Sequence, residues 1–306
     1  MLYYNLILFG KEMMEIRKNL KLSKKEISEK SFISDKTIRR YEAGESKPNF
    51  DILELLSPFY KTDLVNLLIK HRLDDYHVFY TIKKRIDVKL GNQENDLRLE
   101  LKDLNILLAS TKNKYFIDLI NQFKIFIEAI ELSDSEKIYL AYEKFTKAIE
   151  VTNPYFNFDK YTSYTFSSME IRILVNIALI FYKLDKRDKY MEILDFCINT
   201  IEYTDEVCPM VCNNLAGAYF RIENYQKTLE YSNIGIQSCL ESENFNFLYN
   251  LYYTKGVAEY KLDIEDYVES LKTSIYLCKA NKKNNLKDII IERCRDYLGI
   301  DLGWFF

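Results

Sequence analysis

Glycine and proline are scarce, at eight and four in 306 residues. Sandwiches, barrels and α/β enzymes need many tight turns, so this shortage leaves long helices joined by short polar connections and an all-α class. Histidine is scarcer still: His71 and His77 are the only two, and no paired catalytic constellation can be built around them. No catalytic residue and no cofactor are expected. No stretch reaches 18 uncharged apolar residues, which excludes a membrane span. The opening apolar run from Leu2 to Phe9 has neither a basic start nor a small-residue cleavage site, so it reads as a cap or extension of the first helix rather than a secretory signal. A cytoplasmic location is the expectation. The six cysteines, Cys197, Cys208, Cys212, Cys239, Cys278 and Cys294, sit in apolar helical patterns rather than a loop-rich scaffold, and read as buried thiols. Cys208 and Cys212 share a helix face, but no histidine or second cysteine pair stands near enough in sequence to complete a zinc tetrahedron; no metal is expected.

What is present is a chain 48% hydrophobic and 29% charged, with apolar material for a sizeable core. Its length fits a small domain joined to a larger one: residues 1–70, with a linker helix to about 75, and residues 76–306. Residues 1–70 hold 13 Lys and Arg against 10 Asp and Glu, and the remainder 30 against 36. The basic excess lies at the front, where it suits an anionic partner but does not by itself identify one.

Helical spacing places a first helix over about Gly10 to Asn19, with Met13, Ile16 and Leu20 inward. Ser23-Lys24-Lys25-Glu26 is a capping box opening a second helix that ends near Ser31. After Phe32 and Ile33, Ser34 caps a third, Asp35 to Glu42, stopped by Ala43-Gly44. Ile38 and Tyr41 would face inward, which leaves Asp35, Lys36, Thr37, Arg39 and Arg40 outside. A fourth helix from Phe50 to Tyr60 and a fifth beginning at Thr62 supply Ile52, Leu55, Leu56, Leu64, Leu67 and Leu68 to the core. An α-helix fits the major groove of B-DNA, where Arg and Lys donate to guanine O6 and N7. An Arg-Arg pair alone would read as an ordinary solvated face.

The motifs Ile16-Arg17, Leu22 to Ser28, Ile33 to Ile38, Tyr41-Glu42-Ala43-Gly44 and Pro48 decide between these readings. Over residues 8 to 68 they resemble the Xre/Cro-type helix-turn-helix family, which implies a five-helix, lambda-repressor-like domain. The resemblance implies that Lys24 touches phosphate, that Asp35, Lys36 and Arg40 face bases, that Thr37 sits at the groove edge and that Arg39 and Lys47 meet the backbone. It makes Arg17 and Glu42 a structural ion pair. One departure is Phe32, where the family has glycine; a left-handed backbone there costs a bulky residue about 1–2 kcal/mol.

From about residue 72 one amphipathic helix follows another, separated by polar breaks at Gly91-Asn92-Gln93, Asp134-Ser135, Asn153-Pro154, Lys186-Arg187-Asp188 and Lys282-Lys283-Asn284-Asn285. Three segments align: Ile177 to Leu184, Leu215 to Ile222 and Lys255 to Leu262. Each ends in an acidic or polar break and precedes a second amphipathic helix, the pattern of a tetratricopeptide-like helix pair. Ala178, Ala216 and Gly256 would let paired helices approach closely, and Tyr182, Phe220 and Tyr260 would fill the space between successive repeats. Stacked pairs make a right-handed solenoid whose concave groove suits an extended peptide.

A helix-turn-helix followed by such an array resembles the RRNPP family of peptide-responsive transcriptional regulators, its PlcR-type branch above all, over nearly the whole chain. The resemblance implies quorum sensing: a homodimer reading a palindromic operator in double-stranded DNA under control of a short signalling peptide. It also implies that Asn176 and Asn214 hold the peptide backbone, since a side-chain amide both donates and accepts. Asn213, Arg172, Asn250 and Tyr253 fall within a turn of the aligned groove helices and are expected as their neighbours. Two other readings stand beside this one: an adaptor whose repeats bind a protein partner while the head contributes little, and an enzyme of the repeat class.

Overall fold

The computed structural model describes residues 4–72, 75–91, 96–281 and 283–302. The chain divides into two compact units between Lys83 and Lys84. Among the described residues the regular structure is helical apart from an isolated bridge between Tyr4 and Arg72, and no helix is long and apolar enough to cross a membrane.

The first unit holds α1 (Leu6–Asn19), α2 (Lys24–Ser31), α3 (Asp35–Glu42), α4 (Phe50–Tyr60) and α5 (Leu64–Lys70). Phe9, Met13, Ile27, Ile38, Leu53, Leu56, Leu64 and Leu68 close its core. Part of the Leu2 to Phe9 run extends α1, which therefore starts at Leu6 rather than Gly10, while Met1 to Tyr3 lie outside the described residues. Asn5 supplies the cap, accepting from the Leu8 amide. Gly10 is then a mid-helix residue, and its missing side chain is what lets α1 lie against the end of α3: a Cβ there would stand 2.5 Å from the Tyr41 and Glu42 carbonyl oxygens. Two smaller expectations also change. α5 begins at Leu64, capped by Asp63, not at Thr62. Leu55 is not core but 56% exposed, because Leu53 and Leu56 already occupy the buried face of α4.

The second unit contains the second half of α6 (Asp75–Gly91), followed by α7 (Arg98–Ser110) and four helix pairs: α8 (Lys114–Asp134) with α9 (Ile138–Thr152), α10 (Ser168–Lys183) with α11 (Arg187–Thr200), α12 (Cys208–Arg221) with α13 (Tyr225–Glu241) and α14 (Leu248–Lys261) with α15 (Tyr267–Ala280). The last helix is α16 (Asn284–Leu298). The expected breaks at Asn92-Gln93 and Lys282 fall outside the described residues. Each pair turns over on an acidic residue in the left-handed region, Glu136, Asp185, Glu223 and Asp263. The last three are the breaks that end the aligned segments; the first marks a pair that the alignment did not reach.

Ala178, Ala216 and Gly256 are buried; a Cβ on Gly256 would strike Leu271 of the paired helix at 2.8 Å. The three aromatics pack both within their pairs and onward. Tyr182, Phe220 and Tyr260 meet Tyr190, Tyr225 and Tyr267 within their own pairs. They also reach onward as expected, Tyr182 under the Arg221 guanidinium, Phe220 against the core shared by α14, α15 and α16, and Tyr260 donating to the Leu298 carbonyl. The break at Asn153-Pro154 opens a long connection in which Phe158 stacks on Phe181, and Tyr161 meets Phe196 and donates to Glu192 at 2.9 Å.

All six cysteines are free and buried. Burial pushes the thiols of Cys197, Cys278 and Cys294 up, to about 12, 11 and 11. No group that could hold a metal ion occurs among the described residues.

Candidate functional site

The turn into α3 is built from short polar side chains. Ser23 and Glu26 form the reciprocal capping box of α2, at 2.7 and 3.1 Å. α2 ends on Phe32, whose φ of 59° lies in the left-handed region and whose side chain is 94% exposed. Ser34 caps α3, accepting from the Thr37 amide at 3.1 Å, and its hydroxyl meets that of Thr37 at 2.8 Å. Thr37 is thus half-buried and tied to the cap.

Ile38 and Tyr41 are buried, and Tyr41 Oη accepts from the Asn49 amide. Asp35, Lys36, Arg39 and Arg40 are left exposed, at spacings of one and four that keep them on one side of the helix. The end of α3 is anchored by charge. The Glu42 carboxylate accepts from Arg17 Nε and Nη2 at 2.6 and 2.9 Å and from Tyr60 Oη at 3.2 Å. That partner raises the Arg17 guanidinium above its ordinary value, and burial, with Glu42 beside it, raises the Tyr60 hydroxyl. Two residues of the expected set come from outside α3. Lys24 Nζ lies 3.8 Å from Glu42 Oε2 and is partly buried, and Lys47 Nζ sits 5.9 Å from the Tyr4 ring.

In the repeat unit, Asn176 on α10 and Asn214 on α12 hold equivalent conformations. Each donates Nδ2 to the carbonyl four residues back, of Arg172 and Met210, at 2.8 Å in both cases. One of the two N–H donors of each amide is committed to the helix, so each side chain can still offer a ligand its acceptor oxygen and one donor. Asn250 of α14 donates to Asn213 Oδ1 at 2.8 Å, linking neighbouring repeats directly. Tyr253 packs against the core shared by α14, α15 and α16.

Arg172 meets residues of two other helices. Its Nη1 donates to Asp87 Oδ1 on α6 at 2.6 Å, and its guanidinium carbon lies 5.2 Å from the centre of the Phe126 ring on α8. Neither Asp87 nor Phe126 was identified in the sequence. Asp87 is one charge among many on an amphipathic helix, and nothing local marks it as the partner of a residue 85 positions away.

Comparison with known families and structures follows the same division. Residues 13–67 match the helix-turn-helix model HTH_3, and residues 156–299 match the RNPP family C-terminal domain. Comparison with curated proteins gives no match. Among solved structures, PlcR of Bacillus thuringiensis in complex with the peptide PapR7 and DNA is similar at 16% identity and a TM-score of 0.62, covering 92% of this chain and 98% of that one. ComR of S. thermophilus with DNA and its signalling peptide ComS is similar at 14% identity and 0.52, covering 92% and 97%. The pheromone receptor Rgg2 of Streptococcus dysgalactiae is also similar at 14% and 0.52, covering 94% and 99%. At these identities the likeness is one of fold. The two family matches carry more: with a helix-turn-helix domain ahead of an RNPP C-terminal domain, the chain belongs to the RRNPP family of regulators.

Proposed function

We propose that this chain is a sequence-specific DNA-binding transcriptional regulator, not an enzyme, whose activity is set by a short signalling peptide held along α10, α12 and α14. The observation that carries the reading is the division of α3: apolar residues hold it to the head while Asp35, Lys36, Arg39 and Arg40 face solvent. Lys36 and Arg40 are assigned to guanine edges, Asp35 to a base amino group and Thr37 to the groove edge. Arg39, Lys24 and Lys47 are assigned to phosphates, which fix register without reading sequence. The peptide lies with its backbone N–H groups toward the Asn176 and Asn214 oxygens, flanked by Arg172, Asn213, Asn250 and Tyr253. Two copies acting in the cytoplasm read a palindromic operator, and the peptide changes their fit to it. A 100-fold change in operator affinity needs about 2.7 kcal/mol of coupling, an ordinary magnitude.

The test is recovery of genomic DNA fragments on the purified protein at fixed salt, with and without short peptides secreted by the same cells. A palindromic motif whose recovery changes with one peptide supports the reading. Salt-sensitive binding with no motif would overturn it and favour an adaptor whose repeats bind a protein partner.

A further inference from the structure

The ion pair between Arg172 and Asp87 joins a helix of the candidate groove to α6, and α6 is the helix that runs back through the division toward the head. Its surroundings distinguish it from the surface pairs. The Arg172 and Asp87 side chains are 17% and 19% exposed, so the pair is little screened by solvent. Phe126 lies against the guanidinium from α8. Only Nη1 bonds to Asp87; Nε and Nη2 make no hydrogen bond to the described residues. A guanidinium presents five N–H donors in a planar fork matched to a carboxylate, and this one is used at a single corner. One turn along α10, Asn176 bonds to the Arg172 carbonyl and offers its own oxygen beside it. A backbone-accepting group and an under-used cation therefore stand next to each other.

We propose that Arg172 is the receptor for a peptide carboxylate, and that Asp87 occupies it as an internal substitute until the peptide arrives. The inference rests on the peptide-controlled reading above. A second carboxylate at the guanidinium faces the charge of Asp87, and two carboxylates sharing one site repel. The arriving group takes the fork and Asp87 leaves, which frees the second half of α6 from α10. Binding in the repeats is thereby converted into a change in the helix that leads to the head. The carboxylate is the peptide's C-terminus or an acidic side chain. Arg172 lies one turn before Asn176, about 6 Å along the axis, or roughly two residues of extended peptide.

The experiment uses the full chain and two fluorescent heptapeptide pools of equal composition, one with free C-terminal carboxylates and one amidated, each also made without Asp and Glu. Fluorescence polarisation is measured on the wild type and on Asp87→Asn and Arg172→Gln, with hydrogen exchange across residues 84–91. Removing the internal carboxylate should tighten binding of acid-bearing pools, by about tenfold if the exchange costs about 1.4 kcal/mol. Arg172→Gln should abolish the preference for acid-bearing pools but leave residual binding through the asparagines. Exchange over 84–91 should rise when peptide binds the wild type. Loss of the preference on amidation identifies the C-terminus as the source; loss only when Asp and Glu are omitted identifies a side chain. Equal binding of every pool with no gain in Asp87→Asn overturns the carboxylate exchange and leaves the peptide reading intact. No binding of any pool to either the wild type or Asp87→Asn overturns both.

Discussion

Arg17 and Glu42, 25 residues apart, meet through two parallel hydrogen bonds of 2.6 and 2.9 Å that tie the end of α1 to the end of α3. Both residues are buried. Removing one partner of a buried pair leaves the other charged and unpaired, at a cost of about 3–5 kcal/mol. Glu42→Gln should therefore lower the melting temperature of the head sharply. Replacing both by apolar residues of similar size, as in Arg17→Met with Glu42→Leu, should recover most of the loss. Thermal melts of the single and double variants check this; a double variant as unstable as the single would show that the pair contributes more than mutual neutralisation.

Phe32 gives a prediction of opposite sign. Its backbone is left-handed and its ring lies almost wholly in solvent, so its replacement relieves strain and loses little packing. Phe32→Gly removes about 1–2 kcal/mol of backbone strain, offset in part by the added freedom of glycine in the unfolded chain. A net gain of about 0.5–1 kcal/mol is expected, read as a raised melting temperature. Unchanged or lower stability would mean that the exposed ring has a partner.

Neutralising Lys36 and Arg40 together should cost operator affinity, each by about 1–3 kcal/mol where it meets a base edge. The melting temperature should be unchanged, since both side chains are exposed. Binding to the recovered operator and to unrelated duplex, measured side by side, separates loss of specificity from loss of charge.

The pH dependence of the head should carry the signature of Glu12. Hydrogen bonds from Lys70 and His71, at 2.9 and 2.7 Å, hold its carboxyl below the ordinary value of 4.5. A depressed folded-state pKa gives stability that is complete above the unfolded value and is lost as pH falls through the folded one. Glu12→Gln should lower the melting temperature at pH 7, and the difference from wild type should vanish in acid, below the depressed pKa. A difference that persists there would place the effect in packing.

Gly10→Ala tests the crossing of α1 and α3. The added methyl would lie 2.5 Å from two backbone oxygens, and backbone cannot yield as a flexible side chain does. Overpacking costs of about 1–3 kcal/mol are usual, here with reduced operator binding because α3 is the element displaced.

Most of the fold was legible because its signals are local. Ser23 with Glu26, Ser34 with Thr37, and the spacing of Ile38 and Tyr41 each specify a helix boundary or face within a few residues, and α2, α3 and α4 lie where those signals put them. Repeat spacing revealed three pairs; the fourth, α8 with α9, escaped because its turn at Glu136 is not framed by an equivalent aligned segment. Leu55 shows the limit of periodicity: three near-consecutive leucines on α4 cannot all face one core, and composition alone does not say which is left out. The candidate groove was legible in position but not in wiring. That Asn250 reaches Asn213, or that Arg172 reaches Asp87, depends on packing between elements distant in sequence.

The helix pairs of the second unit pack chiefly within themselves and against the next pair along. In such an array stability is close to a sum of nearest-neighbour terms, and separate stretches can open independently. A ligand laid across α10, α12 and α14 would bridge three of these stretches at once. They would then open as one cooperative block, so the peptide's effect should be readable as slowed exchange far beyond the residues it touches.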